Sequence, residues 1–501
     1  PLPWVSQPDN IKDFFDTGYT INNNLSFSGA SESGDMNYRL SIGNSDQKGM
    51  VPFTDFGKIT TAANASKTFG KKLTAQISVN YTRSYSDNLP VVGYDNENPI
   101  QQMYWSGRNV DFNALRDWRN LPLAPVGTAA EGTPINWNNV YQNNPFWLLE
   151  TNTNSYDKDR VLGNIMLSYN FSDNLSLTTK VGTDYFGTLQ TFRQSIGSNS
   201  APDGSYQETN RGFVETNADV LLAYNKDLTE KIKVELSVGG NSMQRKSKTN
   251  IAFAGALELP NLYNLSNIKS GTDYIIIGTV REQAINSFYG YGKIGYNDYL
   301  FVEFSGRNDW ASVLPMQNNS FFYPSVTMSA VVTDMLGMKE NKILDYLKIR
   351  GGWSKVGGIG ALNEYALDPI FKLGNPSFGD ASYGYLPNTL NNPNIKPEST
   401  QGIEAGLDVK MFDNALRFNV TYYDQTSTDL ILPVTISSGS GYSSAYQNIG
   451  EMRNKGIEIE LNSTLYKSKG GFDVDFGVNF AKNDNRVVSI GDLSSLPFGS
   501  Q

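Results

Sequence analysis

The sequence contains neither cysteine nor histidine among its 501 residues. Without cysteine the chain has no disulfide, no thiol nucleophile and no thiolate metal ligand. Without histidine it lacks the commonest general base and the commonest metal ligand. Catalysis of the Ser-His-Asp or Cys-His type is therefore impossible within this chain. We predict that it is not an enzyme and that it uses no cofactor and no metal.

Charged residues and long apolar runs are also scarce. Only 18% of the residues are charged, and the formal net charge is −9. This acidic balance, with no basic stripe, argues against a nucleic-acid partner. Apolar runs reach only about five residues, far short of the ~20 that a transmembrane helix needs.

The residues that are abundant favour strands and turns. The chain is 12% aromatic and contains 46 glycines and 28 tyrosines. Rings and hydroxyls suit strands, and small residues suit turns. The stretch 287–307 shows the pattern most clearly, because it predicts two strands joined by a tight turn at Asn297-Asp298. In its second strand Leu300, Val302 and Phe304 alternate with Glu303, Ser305 and Arg307. Such a hairpin fits a soluble sheet or a membrane barrel.

The same alternation recurs along the whole chain and predicts about sixteen strands in eight hairpins. We therefore predict one all-β domain over residues 1–501, a large antiparallel transmembrane β-barrel with short periplasmic turns and long extracellular loops. The predicted strands run about 9 to 13 residues, as a tilted strand needs to cross a bilayer, whereas globular strands average about 5 to 6. Tyrosines cluster at strand ends, as in an interfacial girdle. A large soluble β-protein, such as an adhesin or lectin-like protein, stays open as an alternative.

The connections are predicted to alternate strictly between short turns and long polar loops. A short helix is predicted over 335–345. The long loops are expected at about 85–159, 188–212, 244–285, 309–322, 357–400 and 425–453.

The two faces of the predicted strands differ in polarity. Leu300, Val302 and Phe304 are predicted to face lipid. The charges on the opposite face are too many to pack dry inside a narrow barrel, and a wide, water-filled or plugged lumen would hold them. The residues predicted to face the lumen are Glu303, Arg307, Arg350, Glu404, Asp408, Glu458 and Glu460.

Aromatic residues in the long loops are the candidate substrate contacts. The first loop alone carries four of the chain's seven tryptophans. Flat rings and planar polar groups suit sugar faces or peptide backbones, but the same rings could instead form the small cores by which a loop folds. The candidate binding residues are Tyr104, Trp105, Arg108, Trp118, Trp137, Trp147, Trp310, Tyr442 and Tyr446.

Five stretches resemble one family, and they occur in that family's order over nearly the whole chain. They are NNNLSFSGASESGDMNYRLSIGNSDQKGMV (22–51), FFYPSVTMSAVV (321–332), YLKIRGGWSKVGG (346–358), NPNIKPESTQGIEAGLDV (392–409) and QNIGEMRNKGIEIEL (447–461). On these motifs the chain resembles the SusC/RagA-type TonB-dependent outer-membrane transporters of Bacteroidetes.

The resemblance to this family implies features that the alternation of apolar and polar residues does not predict. It implies a barrel of about 22 strands, an N-terminal plug, energy coupling through TonB-ExbB-ExbD and a SusD-like surface lipoprotein that closes as a lid. No plug, TonB-binding segment or closing strand is recognised here, so we expect the barrel to be incomplete at both ends of this chain. The implied function is active import of oligosaccharides or oligopeptides across the outer membrane. A passive porin is the alternative.

Overall fold

The computed structural model describes residues 4–272, 274–338, 341–360, 362–368, 370–373, 383–468 and 470–491. Its strands, in chain order, are β1 (Tyr19–Ala30), β2 (Met36–Lys48), β3 (Asp55–Phe69), β4 (Leu73–Ser86), β5 (Asn154–Asn170), β6 (Leu175–Ser198), β7 (Ala201–Asp227), β8 (Ile232–Ala254), β9 (Tyr274–Tyr296), β10 (Leu300–Ala311), β11 (Ser320–Val331), β12 (Leu344–Gly358), β13 (Lys372–Leu373), β14 (Gly384–Tyr385), β15 (Thr389–Leu390), β16 (Glu398–Met411), β17 (Leu416–Thr428), β18 (Ile431–Thr435), β19 (Ser444–Asn448), β20 (Glu451–Lys467) and β21 (Asp473–Ser489).

Sixteen of these strands form one antiparallel sheet in the order β1-β2-β3-β4-β5-β6-β7-β8-β9-β10-β11-β12-β16-β17-β20-β21. Each of these strands therefore pairs with its nearest sheet neighbours along the chain, and the predicted all-β fold and strand number are confirmed. The short strands form two small sheets in the loops, β13-β14 and β15-β19-β18.

Helices are few and short. They are α1 (Asn10–Phe14), α2 (Pro99–Met103), α3 (Phe112–Arg116), α4 (Pro145–Thr151) and α5 (Val332–Met335), with 3-10 turns at Trp118–Asn120 and Ser438–Ser440. In the described residues no helix has the length and apolar character needed to span a bilayer. The helix predicted over 335–345 is wrong in position. The helical turn ends at Met335, and β12 already begins at Leu344.

One end of the sheet, here called the turn end, carries mostly tight connections. At 297–299, Asn297 and Asp298 adopt φ values of 51° and 56°. This left-handed conformation matches the twist of a tight hairpin, and Asn and Asp tolerate it better than most residues. Phe412, Asp413 and Asn414 repeat the conformation between β16 and β17. The tight turn predicted at Asn297-Asp298 is confirmed.

The opposite end, here called the loop end, differs from the prediction at two loops. The expected loops at 188–212 and 244–285 are largely strand, because β6, β7, β8 and β9 run for 24, 27, 23 and 23 residues. Only residues 199–200 join β6 to β7, so long and short connections do not alternate strictly. The extensions of β7 and β8 are mostly polar on both faces, whereas β9 begins with the continuous apolar run Tyr274–Ile277. No apolar alternation marks them, although the backbone ladder continues.

The sheet has one apolar and one polar face. Val302 lies in register with Ile294 and Met328, and Phe304 lies in register with Val326. The apolar side chains remain exposed, Phe27 by 62% and Ile165 by 54%, so they cover no core within this chain. A large exposed apolar surface of this kind requires a partner or a membrane.

Exposed aromatic side chains border the apolar face at both ends. The row near the turn end contains Tyr38, Phe69, Tyr169 and Tyr296, and the row near the loop end contains Tyr185, Phe288, Trp310, Phe322, Trp353 and Tyr422. Along β9, Phe288 and Tyr296 are separated by about 27 Å of strand, which a tilt of about 40° reduces to roughly 21 Å along the membrane normal, close to the ~25 Å apolar band of outer-membrane barrels. The two rows have the spacing of a pair of interfacial girdles.

Candidate functional site

The loop between β4 and β5, residues 87–153, folds as a small unit with its own core. Phe14 of α1 packs with Phe112, Phe146, Met103 and Leu149 of the loop. The Phe14 ring lies 5.2 Å from that of Phe146 and 5.8 Å from that of Phe112. The segment before β1 is thereby fixed to the first loop, and together they form a cap at the loop end.

Three of the predicted substrate tryptophans belong to this core or its edge. Trp147 is only 8% exposed, and Trp118 and Trp137 pack against the core residues. The Trp118 indole also donates a 3.0 Å hydrogen bond to Glu150. Burial therefore argues against a substrate contact for Trp147, whereas Trp118 and Trp137 are only partly buried and their assignment to a substrate surface stays a prediction. Their rings stabilise the folded loop, because buried apolar surface must offset the conformational entropy that is lost when a long loop becomes ordered.

Arg108, a predicted substrate contact, also serves the loop. Its guanidinium donates a 2.8 Å hydrogen bond to Asn10 Oδ1. Arg116 acts similarly, since it pairs with Asp16 at 2.8 Å and donates to the Phe14 carbonyl oxygen at 3.0 Å. Both arginines tie α1 to the loop. These ties could not be predicted from the sequence, because the partners lie about a hundred positions apart.

Tyr104 and Trp105 remain open to a ligand. They are 85% and 65% exposed, and Tyr94, which the sequence analysis did not select, is 86% exposed. These three rings line an open cavity of about 540 Å³, together with Gly93, Asn98, Ile100 and Gln101. We call Tyr94, Tyr104 and Trp105 the aromatic patch. Rings beside amide groups are suited to a sugar ring or a peptide backbone.

Glu97 anchors the first loop to the extended strands β6 and β7. Its carboxylate accepts hydrogen bonds from Asn152 at 2.6 Å, from Gln194 at 3.1 Å and from Ser200. Asn152 also donates to Ser198 at 2.8 Å. Burial raises the pKa of Glu97 above its ordinary value, although the three donors oppose the shift. A buried carboxyl thus holds the cap to the neighbouring hairpin.

The last three predicted aromatic contacts have different positions. Trp310 is not in a loop: it lies on β10, on the same face as Val302 and Phe304, and is 42% exposed. That assignment is corrected, since the ring belongs to the aromatic row near the loop end. Tyr446 lies on β19 and packs against a second loop core that includes Ile395 and Ile431. Tyr442 is half-buried in the same loop.

Ion pairs and hydrogen bonds organise the polar face of the sheet. Arg350 pairs with Glu404 at 2.8 Å and Asp408 at 3.7 Å, and donates to Thr421 at 2.6 Å. Its guanidinium lies against Gly406, where an added Cβ would be 2.5 Å from Arg350 Cζ. The alternation of apolar and polar residues predicted that these charges share one face, but it did not predict that they form one network.

A second group of ion pairs and hydrogen bonds lies on the same face, nearer the loop end. Arg307 pairs with Asp309 at 2.7 Å and donates to Ser287 at 2.7 Å. Tyr289 donates to Asp219 at 2.7 Å. Glu303, Glu458 and Glu460 are exposed. Across the described part of the chain, no group of three or more acidic side chains is arranged to hold a metal ion.

A long sheet with one apolar face, bordered by aromatic rows, and one charged face defines the class of transmembrane β-barrels. The family model described as "TonB dependent receptor-like, beta-barrel" matches residues 104–497. The chain belongs to this family of outer-membrane receptors and transporters. The predicted outer-membrane localisation is thereby confirmed.

Curated relatives agree with this assignment. The chain is 26% identical to TonB-dependent receptor P26 of Formosa agariphila, over 99% of this chain and 49% of the relative. It is 23% identical to TonB-dependent receptor SusC of Bacteroides thetaiotaomicron, over 95% of this chain and 48% of the relative. The chain therefore spans about half the length of the curated relatives it matches.

Solved structures show the same fold. A chain of the RagAB peptide transporter matches with a TM-score of 0.81 and 21% identity, over 96% of this chain and 52% of that one. The ferripyoverdine receptor of Pseudomonas aeruginosa matches with a TM-score of 0.55 and 14% identity, over 95% and 56%. The resemblance to SusC/RagA-type receptors is confirmed.

Proposed function

We propose that this chain forms the barrel wall of an importer that carries oligosaccharides or oligopeptides across the outer membrane. The observation that carries the proposal is a charged sheet face opposite an exposed apolar face. The fold matches a RagAB peptide transporter chain over 96% of the length of the present chain. Such a wall binds and passes a ligand without covalent chemistry. The match to a RagAB peptide transporter chain supports an oligopeptide, and the resemblance to SusC/RagA-type transporters keeps oligosaccharides as the other class.

The proposed orientation follows from the two faces and the two ends. The apolar face, including Leu300, Val302 and Phe304, contacts lipid. The polar face lines the lumen and carries Glu303, Arg307, Arg350, Glu404, Asp408, Glu458 and Glu460. The turn end lies in the periplasm and the loop end lies outside the cell, which is the usual arrangement of outer-membrane barrels.

We propose two partners for the complete protein. A SusD-like surface lipoprotein closes over the loop end, and TonB-ExbB-ExbD supplies energy through a plug. The resemblance to SusC and RagA supports both. Substrate first contacts the aromatic patch, with Tyr104 and Trp105 as its exposed rings, and then enters a lumen whose charged groups lie in water.

Uptake measured with and without TonB tests the proposal. Cells that express the complete protein receive fluorescent oligosaccharides and oligopeptides, and accumulation in the periplasm is compared with a tonB deletion strain. We expect accumulation of one ligand class to fall to background without TonB. Accumulation that is unchanged in the deletion strain would support a passive porin instead, and would contradict active import.

A further inference from the structure

Four basic side chains lie together on the apolar face of the sheet, just beyond its aromatic row. On neighbouring strands Tyr422, Ile457 and Lys482 share one row across β17, β20 and β21. The next row holds Asp424, Lys455 and Asp484. The row beyond places Arg453 beside Arg486. We call Arg453, Lys455, Lys482 and Arg486 the basic cluster.

The basic cluster begins where the apolar band ends. The row before Tyr422 consists of Val420, Ile459 and Phe480, and it is entirely apolar. All four basic side chains are exposed on the same face as these residues. They are therefore directed away from the lumen, beside the outer boundary of the apolar band.

Part of the positive charge in the cluster has no carboxylate partner. Arg453 makes a two-pronged pair with Asp424, at 2.8 and 2.5 Å, and Arg486 pairs with Asp484 at 3.0 Å. Lys455 and Lys482 make no ion pair within 4 Å in the described part of the chain. These two lysines are also the members nearest the apolar band. Glu451, two residues beyond Arg453 on β20, lies farther from that band.

The corresponding position elsewhere on the sheet has the opposite charge balance. On β4 and β5, Arg83 pairs with Asp157 at 2.7 Å, and Tyr81 donates to Asp159 at 2.5 Å. At that position a single cation, Arg83, lies beside the two carboxylates of Asp157 and Asp159. The basic cluster is thus a local feature of β20 and β21 in a chain whose net charge is −9.

We propose that the basic cluster binds the phosphate groups of a phosphorylated glycolipid in the outer leaflet. Lysine side chains at a membrane boundary extend toward the headgroups while their methylene chains cover apolar surface. Unpaired ammonium groups at that depth meet lipid phosphates rather than nutrient in the lumen. The proposal depends on the proposed orientation of the barrel, but not on the identity of the imported substrate.

Binding of lipid A to the complete, detergent-extracted protein tests the proposal. The variants are Lys455→Gln/Lys482→Gln, its charge-preserving counterpart Lys455→Arg/Lys482→Arg, and Arg83→Gln as a matched control at the same height. Native mass spectrometry measures retained lipid A, and titrations compare lipid A with its dephosphorylated form. At about 1 kcal/mol per basic residue near a charged lipid surface, the Gln double variant should bind roughly 30-fold more weakly.

The Arg double variant and Arg83→Gln should bind lipid A within about twofold of the unmodified protein. Unchanged binding by the Gln double variant would overturn the proposal. Equal affinity for dephosphorylated lipid A, or displacement of lipid A by inorganic phosphate alone, would overturn it as well. Heat-shifted gel migration shows whether each variant is folded. If the Gln double variant does not fold, the single variant Lys482→Gln is compared with Arg83→Gln. TonB-dependent uptake is measured in parallel, so failure of lipid binding is distinguished from failure of import.

Discussion

Two residues on β10, Val302 and Ser305, show how the two faces of the sheet differ. Val302 lies between Ile294 and Met328 on the apolar face. Ser305 lies on the other face, where it is exposed and its hydroxyl is 2.7 Å from that of Ser325. Because side chains on a strand alternate between faces, neighbouring positions can have opposite tolerance for charge.

Substitution by arginine at these two positions tests the facing. Val302→Arg should impair assembly, since Val302 faces the apolar band and an arginine facing lipid costs up to about 2–4 kcal/mol at the bilayer midplane and less toward the interfaces. Ser305→Arg should be tolerated, because its side chain enters water and only one exposed hydrogen bond is lost. Heat-shifted migration on gels and the yield in outer membranes measure assembly. Equal tolerance of both substitutions would mean that the faces are misassigned.

Glu97 predicts a pH dependence for docking of the first loop. Because burial raises its pKa in the docked state above the ordinary value of 4.5, the docked loop binds the proton more tightly than the undocked loop does. Docking is therefore most stable below the ordinary pKa and weakens as the pH rises through the raised pKa. Urea titration followed by tryptophan emission should show earlier loop release at pH 8 than at pH 5.

The matched variant for this measurement is Glu97→Gln, which cannot lose a proton. We expect it to show no such difference between pH 5 and pH 8, whatever its absolute stability. Loop release in the unmodified protein that is equal at both pH values, or earlier at pH 5, would contradict the role assigned to Glu97.

At the scale of elements, the first loop divides its aromatic residues between structure and surface. Trp147 is buried with Phe112 and Phe146, whereas Tyr104 and Trp105 project from the cap. The sequence identified the loop and its rings but could not separate the two groups. Burial depends on contacts with α1, which lies far away in the chain.

Removal of the exposed rings tests the aromatic patch. Tyr104→Ala/Trp105→Ala should weaken substrate binding roughly 10-fold or more, since a stacked ring is worth about 0.5–1.5 kcal/mol beyond the area it buries. Tyr141→Ala is the control, because Tyr141 is 67% exposed on the same loop but does not line the patch cavity. Binding is measured by calorimetry with the transported oligomer. An equal loss in the control would show that the loop itself was disturbed.

At the scale of the whole molecule, the sheet order follows the chain from β1 to β21 with its loops at one end. This order predicts that every loop-end connection lies on the same side of the membrane. The absence of cysteine from this chain allows a direct test, since one introduced thiol is the only thiol in these residues.

Labelling of intact cells should show the sidedness of the barrel. Ser438→Cys, in the connection between β18 and β19, should react with a membrane-impermeant maleimide added outside. Asp173→Cys, in the turn between β5 and β6, should react only after the outer membrane is permeabilised. The reverse pattern would place the turn end outside and would contradict the proposed orientation.

The sequence by itself determined the barrel wall. The alternation of apolar and polar residues from Val302 to Arg307, turns such as Asn297-Asp298 and the lack of histidine are local properties, and each one limits the fold or the chemistry directly. The strand number and the charged face followed from them.

Only the tertiary structure decided how distant segments meet. It extended β6 to β9 beyond the predicted boundaries, moved Trp310 from a loop to a strand, and buried Trp147, one of the predicted substrate tryptophans. It also assembled the basic cluster from two strands whose residues are unremarkable when read singly. The physical reason is register: which residues share a row depends on pairing between strands, and no single strand encodes that pairing.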